Sequence, residues 1–443
     1  MTNPTLQLDG EVLLQQLQLL GEIGADPEHG GRSRIALTDA DRAGRDALVQ
    51  WMRDLDLEVR IDQIGNVFGI LAAADGNADK DVLMIGSHID SVRNAGALDG
   101  CYGVLAGLAV VRAYRAAQCL PQRPIVVAAF TNEEGVRYQP DMMGSLVYAG
   151  GLSLQAAWDS IGTDGSRLQD ELERIAYAGE MVVGSLRPAQ YLELHIEQGP
   201  ILEAENTAIG VVENLQGISW QKVTVQGVAN HAGTTPTYLR HDAGYVAAAT
   251  IAFLREHIAL PSNGKTLATV GAVSVAPNLI NVIPRSAEFS VDLRDPDEAR
   301  LQQAEAKLAA FLDDIAKQEG VSISTERLVR FEPVVFDAGL VQHIAAVTAQ
   351  LGLSQRRMTS GAGHDAQMLA RIAPAAMIFV PSHLGISHNP REHTRCGTLV
   401  PRRGSVVGHS RTLFGRPNLG LTFDESETHV IAQPTRRTHG LSR

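Results

Sequence analysis

The sequence predicts an α/β fold: a mixed, mostly parallel sheet with helices on both faces, into which a smaller α+β domain is inserted. Two observations support this prediction. From about residue 36 to 135, short apolar runs alternate with helix-like runs, as in repeated βαβ units. From about 215 to 331, apolar and polar residues alternate one by one, which is typical of antiparallel strands with one exposed face. A chain of 443 residues also exceeds one ordinary core, so more than one domain is expected.

The elements follow from these patterns. DVLMIGSH and RPIVVAAFTNEEG each predict a central strand, and GVLAGLAVVRAYRAA predicts the helix between them. In the inserted part, PDEARLQQAEAKLAAFLDDIAKQEG predicts a helix, because it begins with Pro and acidic residues and closes with Gly. We therefore assign 1–214 and 332–395 to the larger domain and 215–331 to the inserted one. The remaining stretch, 396–443, is rich in Gly, Arg and Pro without helical periodicity, and predicts a loop or a disordered tail.

Composition excludes several classes of function. The net charge is −12 and no basic stripe precedes the tail, which argues against nucleic acid as a partner. No apolar run reaches the roughly 18 residues of a membrane span. The first 25 residues resemble an amphipathic helix more than a signal peptide, so we expect a cytoplasmic location. Three cysteines without a CxxC pair indicate reduced thiols.

Acidic and imidazole side chains follow several of the apolar runs. The stretch MIGSHIDSVRNAGALDGCYGV could form a metal site, or it could be only a well-capped turn. Taken singly, a histidine after a strand is usually a satisfied polar residue, and an aspartate in a Gly-rich turn is usually a turn residue. Their repetition favours a site, because open α/β sheets bind ligands at the carboxyl ends of their strands. The candidates are His88, Asp90, Asp99, Glu133, Glu134, His195 and His388.

These residue types suit a pair of divalent metal ions. Imidazole and carboxylate ligands bind zinc, and they also hold manganese, cobalt or nickel. Two ions ~3.5–4 Å apart need a bridging carboxylate, which Asp99 could supply. One side would then take His88 and His195, and the other Glu134 and His388.

Two acidic residues remain beside this set. Asp90 is expected to accept the second ring N–H of His88 and fix the ring. Glu133 precedes a ligand without being one, which suits a general base that takes a proton from the attacking water. Cys101, two residues past Asp99, could lie at the site, although a small buried residue is the commoner role.

At these residues the chain resembles a family of di-metal amidohydrolases. The family includes N-carbamoyl-L-amino acid hydrolase, β-ureidopropionase and allantoate amidohydrolase, and is related to aminoacylase and the di-zinc carboxypeptidases. The resemblance covers about 10–395 and is specific, because eight motifs occur in family order: GSHIDSV, GALDGCYGV, TNEEGVRY, LELHIEQGP, NHAGTTP, NVIPRSAEFSVDLRD, SGAGHDA and PSHLGISHNPREHT.

The resemblance implies roles for further residues. It implies the same five metal ligands, with Asp99 bridging, and Glu133 as the base. It also implies that the inserted domain is a lid that forms a homodimer. His231 would reach the neighbouring subunit's site and stabilise the oxyanion. The positions implied to contact the substrate are Asn281 and Arg294, which would hold its carboxylate, together with Gln198 and His364.

Four of these positions also have an ordinary interpretation. His231 lies in a Gly/Thr turn and could be a surface residue. Arg294 follows a strand and could pair with Asp292 or Asp295. Asn281 could serve a turn before Pro284, and His364 could cap a helix that begins at DAQMLA.

The lid strand also bears on the substrate. Allantoate amidohydrolases carry an Arg pair before NHAG, whereas here GISWQKVTVQG places Trp220 where an Arg is expected. The sequence therefore favours hydrolysis of N-carbamoyl-amino acids, small ureido acids, to amino acid, ammonia and carbon dioxide. Allantoate hydrolysis, N-acyl-amino acid deacylation or peptidase activity, and a non-catalytic binding protein are the alternatives. The chain departs from the family after 396, where relatives have a closing amphipathic helix; a lineage-specific tail or a changed reading frame would explain this.

Overall fold

A computed structural model describes residues 6–395, so the predicted tail at 396–443 lies outside the described residues. Within that range the strands are β1 (Glu58–Ile61), β2 (Val67–Leu71), β3 (Val82–His88), β4 (Ile125–Phe130), β5 (Pro188–Ile196), β6 (Ile209–Leu215), β7 (Gly217–Gln226), β8 (Asn230–His231), β9 (Leu267–Thr269), β10 (Val273–Ala276), β11 (Val282–Ile283), β12 (Ser286–Asp295), β13 (Ser322–Phe331), β14 (Val334–Val335), β15 (Gln355–Ser360) and β16 (Ala375–Val380). The α-helices are α1 (Gly10–Glu22), α2 (Asp39–Asp54), α3 (Cys101–Ala116), α4 (Met143–Tyr148), α5 (Leu154–Trp158), α6 (Leu168–Arg174), α7 (Ile201–Ala204), α8 (Ala243–Phe253), α9 (Glu298–Glu319), α10 (Ala338–Gln350) and α11 (Asp365–Leu369).

The larger sheet has nine strands in the order β1-β2-β4-β3-β5-β16-β6-β14, with β15 also pairing with β6. Its four central strands, β4, β3, β5 and β16, are parallel neighbours. The strands outside them pair mainly antiparallel, β15 excepted. The predicted mixed α/β class is therefore confirmed, with the parallel pairing concentrated at the centre.

The central strands are apolar because both of their faces are covered. Every residue of β3 and β4 is buried, as expected for parallel strands that lie between helices. Helix α3 packs against β3, β4 and β5, and α11 packs against β3, β5 and β16. These strands and helices share one large hydrophobic core.

The segment between β7 and β13 forms a second unit. Its five-stranded antiparallel sheet has the order β10-β12-β7-β13, with β9 also on β12. Helices α8 and α9 cover one face and form a separate core with it. The side chains of β12 alternate between buried and more exposed, so the opposite face of this sheet carries Asp292 and Arg294. Asp297 caps the start of α9, and Gly320 ends it in the left-handed region.

None of the helices within 6–395 combines the length and the apolar character that crossing a membrane would require.

Candidate metal centre

The predicted ligands converge at one edge of the larger sheet. His88 is the last residue of β3, and His195 is the last but one of β5. Glu133 and Glu134 follow β4, and His388 follows β16. These four strands are adjacent and parallel, so their carboxyl ends meet at the edge where α/β sheets bind ligands.

Three buried side chains form the first donor group: His88, Asp99 and His195. One ligand atom from each lies within 4.8 Å of the others. Nε2 of His195 is 3.1 Å from Asp99 Oδ1, and Nε2 of His88 is 3.7 Å from the same oxygen. Two imidazoles and a carboxylate are the donor types that zinc and related divalent ions prefer.

The second donor group consists of Asp99, Glu134 and His388, which also fall within 4.8 Å of one another. Nε2 of His388 is 3.2 Å from Asp99 Oδ2 and 3.5 Å from Glu134 Oε2. Asp99 thus directs one carboxylate oxygen to each group. This is the arrangement that a bridging ligand between two ions requires.

Asp99 reaches this position through the tight turn that precedes α3. Gly100 has φ of 64°, and a Cβ on it would lie 2.5 Å from the ring of His88, so only glycine fits there. On the other side, Gln198 Nε2 donates a 2.8 Å hydrogen bond to Asp99 Oδ2. The predicted substrate residue Gln198 therefore contacts the predicted bridging carboxylate directly.

The two buried histidine rings are oriented by backbone carbonyls. Nδ1 of His195 lies 2.8 Å from the carbonyl oxygen of Ile196, and Nδ1 of His88 lies 2.9 Å from that of Asp90. With Nδ1 held by a main-chain carbonyl, Nε2 is the nitrogen of each ring that faces Asp99.

The predicted role of Asp90 needs correction on this point. Its carboxylate is 3.9 Å from His88 Nδ1, and it is its main-chain carbonyl that meets the ring. The carboxylate instead accepts the backbone N–H groups of Glu133 at 3.2 Å and Glu134 at 3.3 Å. Asp90 lies two residues after the end of β3. From there its carboxylate reaches the loop that follows β4 and holds the main chain of both glutamates.

The electrostatics of the cluster favour bound cations. Burial raises the pKa of Glu133 well above its usual value and that of Glu134 to about 8. Although burial opposes it, hydrogen bonds from the histidines, His195 first, hold the pKa of Asp99 well below its usual value. Contact with Asp99 raises the pKa of His388 to about 9. Within 6–395, the ion-pair partners of these carboxylates are histidines and not Lys or Arg, so divalent ions can replace the protons that the cluster holds.

A third cluster, Glu193, His195 and His364, lies beside the first group, but its chemistry does not suit another ion. The Glu193 carboxylate already accepts hydrogen bonds from Ser87, Tyr191 and the backbone N–H of Ala366. Nδ1 of His195 is bonded to the carbonyl of Ile196, so only Nε2 could bind an ion, and Nε2 faces Asp99. His364 is buried with its ring centroid 4.4 Å from that of His195. It occupies the N-cap position of α11 without a side-chain capping bond.

The substrate residues predicted in the inserted unit belong to neither donor group. Arg294 is inside β12 and pairs with Asp292, with Nη2 to Oδ2 at 3.0 Å, as in its ordinary interpretation. Its Nη1 also donates a 2.8 Å bond to the carbonyl of Gly361, in the loop that leads to His364. A cavity of about 300 Å³ opens at this contact, lined by Gln216, Leu267, Thr269, Asp292, Arg294 and Gly361. Trp220 lies directly opposite Asp292 on β7, and its buried Nε1 has no hydrogen-bond partner within the described chain.

His231 and Asn281 are not brought to the metal ligands of their own chain. Both are exposed: His231 ends β8 and Asn281 directly precedes β11, and Ala232 N donates to the carbonyl of Asn281. Nδ1 of His231 accepts the backbone N–H groups of Gly233 and Thr234. Among the contacts of residues 6–395, none joins either side chain to the donor groups.

Two residues at the site escaped the sequence prediction. Ser387 Oγ is 3.1 Å from Asp99 Oδ2, and Glu392 accepts backbone N–H groups of the loop that carries Asp99. Both occur in the PSHLGISHNPREHT motif, so proximity to His388 was the available signal. Cys101 is buried, and its sulfur accepts a hydrogen bond from Arg34, as a packed core residue does.

Comparison with known proteins confirms the resemblance indicated by the motifs. Residues 84–404 match the family described as peptidase family M20/M25/M40. An N-carbamoyl-L-amino-acid amidohydrolase of Rhizobium meliloti is 38% identical over 386 residues, which span 87% of this chain and 92% of the relative. An allantoate amidohydrolase of Bacillus subtilis (strain 168) is 33% identical over 386 residues, spanning 86% and 92%. The crystal structure of a hydantoinase/carbamoylase family amidase from Burkholderia multivorans superposes with a TM-score of 0.84 at 41% identity, covering 89% of this chain and 95% of that chain.

Proposed function

Because the chain belongs to peptidase family M20/M25/M40, we propose that it is a metal-dependent amidohydrolase that cleaves the C–N bond of N-carbamoyl-amino acids. The products would be the amino acid, ammonia and carbon dioxide. The observation that carries this proposal is the division of the two Asp99 oxygens between two donor groups, with Glu133 beside them. The N-carbamoyl-L-amino-acid amidohydrolases among its relatives support the choice of substrate.

Two divalent ions would be held by the donor groups described above. His88 and His195 would complete one position and Glu134 and His388 the other, with Asp99 shared. Such ions polarise a carbonyl oxygen and lower the pKa of bound water when present. The imidazole and carboxylate donors suit zinc, and equally manganese, cobalt or nickel.

Glu133 is proposed as the general base. Its carboxylate is buried, lies 3.4 Å from His88 Nε2, and belongs to neither donor group. It would take a proton from the attacking water and later deliver it to the leaving nitrogen. Burial favours this double role, because it raises the pKa of Glu133 and makes the protonated form accessible.

The substrate carboxylate is proposed to bind Arg294 and Asn281. A guanidinium fork is always charged and binds a carboxylate with two parallel hydrogen bonds. The contact between Arg294 and Gly361 already joins the inserted unit to the loop that carries His364. Gln198, His364 and Trp220 would complete the surface that faces the substrate, and movement of the inserted unit as a lid would couple binding to catalysis.

A homodimer is proposed because His231 is exposed and makes no described contact with the metal ligands of its own chain. His231 of the partner subunit would then stabilise the oxyanion, a contribution of roughly 3–4 kcal/mol in sites of this kind. Apolar side chains of the inserted unit are exposed, notably Tyr238 at 85% and Ile280 at 104% exposure. A subunit interface that covers them would account for this exposure. The described cysteines, Cys101 and Cys119, form no disulfide, in keeping with the further proposal of a cytoplasmic location.

Ammonia release tests the proposal most directly. Metal-free protein would be supplied with manganese, cobalt, nickel or zinc and offered N-carbamoyl-L-amino acids, N-carbamoyl-β-alanine and allantoate side by side. We expect release from a carbamoyl compound that a chelator abolishes. Release from allantoate alone would instead favour the B. subtilis type of activity and reduce the weight given to Trp220. Metal binding without release from any of the three would favour a deacylase, a peptidase or a non-catalytic binding protein.

A further inference from the structure

We propose that Glu392 is a positioning residue that fastens the loop carrying Asp99 to the loop carrying His388, and that it thereby sets the metal affinity of the centre. The inference rests on the proposed metal function. Glu392 lies four residues beyond His388, and no ligand role falls to it. Its side chain nevertheless reaches the turn before α3, almost 300 positions earlier in the chain, where it makes its principal contacts.

Glu392 accepts hydrogen bonds from both loops. Oε1 accepts the backbone N–H groups of Leu98 at 2.8 Å and Asp99 at 3.2 Å. Oε2 accepts the hydroxyl of Ser387 at 3.0 Å. One carboxylate therefore binds the main chain of the bridging residue and the residue directly before His388.

The turn that carries Asp99 also packs tightly against Glu392. A Cβ on Gly96 would lie 2.2 Å from both Cβ and Oε1 of Glu392. The turn thus closes directly over the carboxylate, leaving room for glycine alone. A side chain at this position would displace Glu392 from the two N–H groups without altering any predicted ligand.

Ser387 lies between the carboxylates of Glu392 and Asp99. Its hydroxyl lies 3.0 Å from Glu392 Oε2 and 3.1 Å from Asp99 Oδ2, and Gln198 Nε2 donates to it at 3.2 Å. A serine has one hydroxyl hydrogen, so the two carboxylates share it. Because Asp99 Oδ2 is the oxygen that faces His388, this contact acts on the second donor group.

Residues that orient metal ligands in this way typically change metal affinity by about 10–100-fold when they are removed. Glu392→Ala removes every acceptor. Glu392→Gln keeps Oε1 for the two N–H groups, while its amide NH₂ can donate to Ser387 and leave the hydroxyl hydrogen to Asp99. The alanine variant should therefore lose affinity, and the glutamine variant should retain most of it.

Glu203 provides a matched control. Its carboxylate accepts the backbone N–H of Leu384 and contacts the ring of His383, so it also fastens the segment between β16 and His388. It makes no described contact with Asp99. Glu203→Ala should therefore leave metal affinity as in the unchanged protein, which separates positioning of the bridge from general support of the loop.

The experiment is calorimetric titration of Mn²⁺ into the metal-free full chain, with thermal unfolding of each metal-free variant recorded alongside. We expect Glu392→Ala to weaken at least one of two Mn²⁺ sites by tenfold or more while its metal-free form still unfolds cooperatively. Glu392→Gln and Glu203→Ala should bind Mn²⁺ nearly as the unchanged protein does. Two-site binding within about twofold of the unchanged protein in Glu392→Ala overturns the inference. So does an equal loss in Glu392→Gln, or one in Glu203→Ala. If Glu392→Ala does not fold, Gly96→Ala replaces it, with the same expected loss and the same contrary outcome. Failure of the unchanged protein to bind Mn²⁺, Zn²⁺ or Co²⁺ would overturn the proposed metal function itself.

Discussion

Replacement of Glu133 by glutamine separates catalysis from metal binding. Glu133 and Glu134 are consecutive, and each backbone N–H is held by a different oxygen of Asp90. Only Glu134 belongs to a donor group. Glu133→Gln keeps the size of the side chain and the main-chain bond to Asp90, but it removes the group that accepts and returns a proton.

The expected magnitude follows from that single lost function. A positioned general base contributes roughly 10²–10⁴-fold to the rate. Each factor of ten corresponds to about 1.4 kcal/mol of barrier, so Glu133→Gln should raise the barrier by about 3–5 kcal/mol. Metal content should stay unchanged. Glu134→Gln is the matched control, because it removes an anionic oxygen from the second donor group and should lower metal content instead.

The assay combines ammonia release at saturating N-carbamoyl-amino acid with metal analysis of the same samples after dialysis. Retention of more than a tenth of the turnover by Glu133→Gln would exclude Glu133 as the general base. A loss of metal from Glu133→Gln as large as that from Glu134→Gln would show that Glu133 is a ligand.

Three further predictions concern the pH dependence of metal affinity, the role of Asp90 and recognition of the substrate carboxylate. In the metal-free protein the pKa of Glu134 is about 8 and that of His388 about 9, so both hold protons at pH 6 that an incoming ion must displace. Metal affinity should therefore rise from pH 6 to 9 with proton release, measured by calorimetry in buffers of different ionisation enthalpy; a pH-independent affinity would contradict this. Asp90→Asn should weaken its bond to one glutamate N–H and cost about tenfold in metal affinity or turnover, and unchanged values would show that Asp90 does not orient the glutamates. Arg294→Lys should raise KM for an N-carbamoyl-amino acid about tenfold or more with a smaller change in kcat, because lysine lacks the two-pronged fork. An equal rise for the uncharged amide of the same substrate would exclude carboxylate recognition.

Much of the fold and of the candidate metal ligands is readable from local sequence. DVLMIGSH and RPIVVAAF are apolar throughout because both faces of a central strand are covered, and the one-by-one alternation of β12 reflects one covered face. His88, Glu134 and His195 stand out because polar groups after an apolar run are typical of the point where a strand leaves the core. These patterns involve residues that are neighbours in the chain, so they can be recognised without the tertiary structure.

Tertiary structure decided the contacts between distant segments. The adjacency of β4, β3, β5 and β16 assembles the two donor groups from segments up to 300 residues apart, and no local periodicity encodes strand order. The same holds for the Asp90 carboxylate, which turns to the glutamate loop and not to the His88 ring, and for Glu392 beneath the turn that carries Asp99. Residue types and their spacing determine which metal ligands and proton-transfer groups the chain offers. Packing of the whole chain determines which of these groups lie close enough to act together.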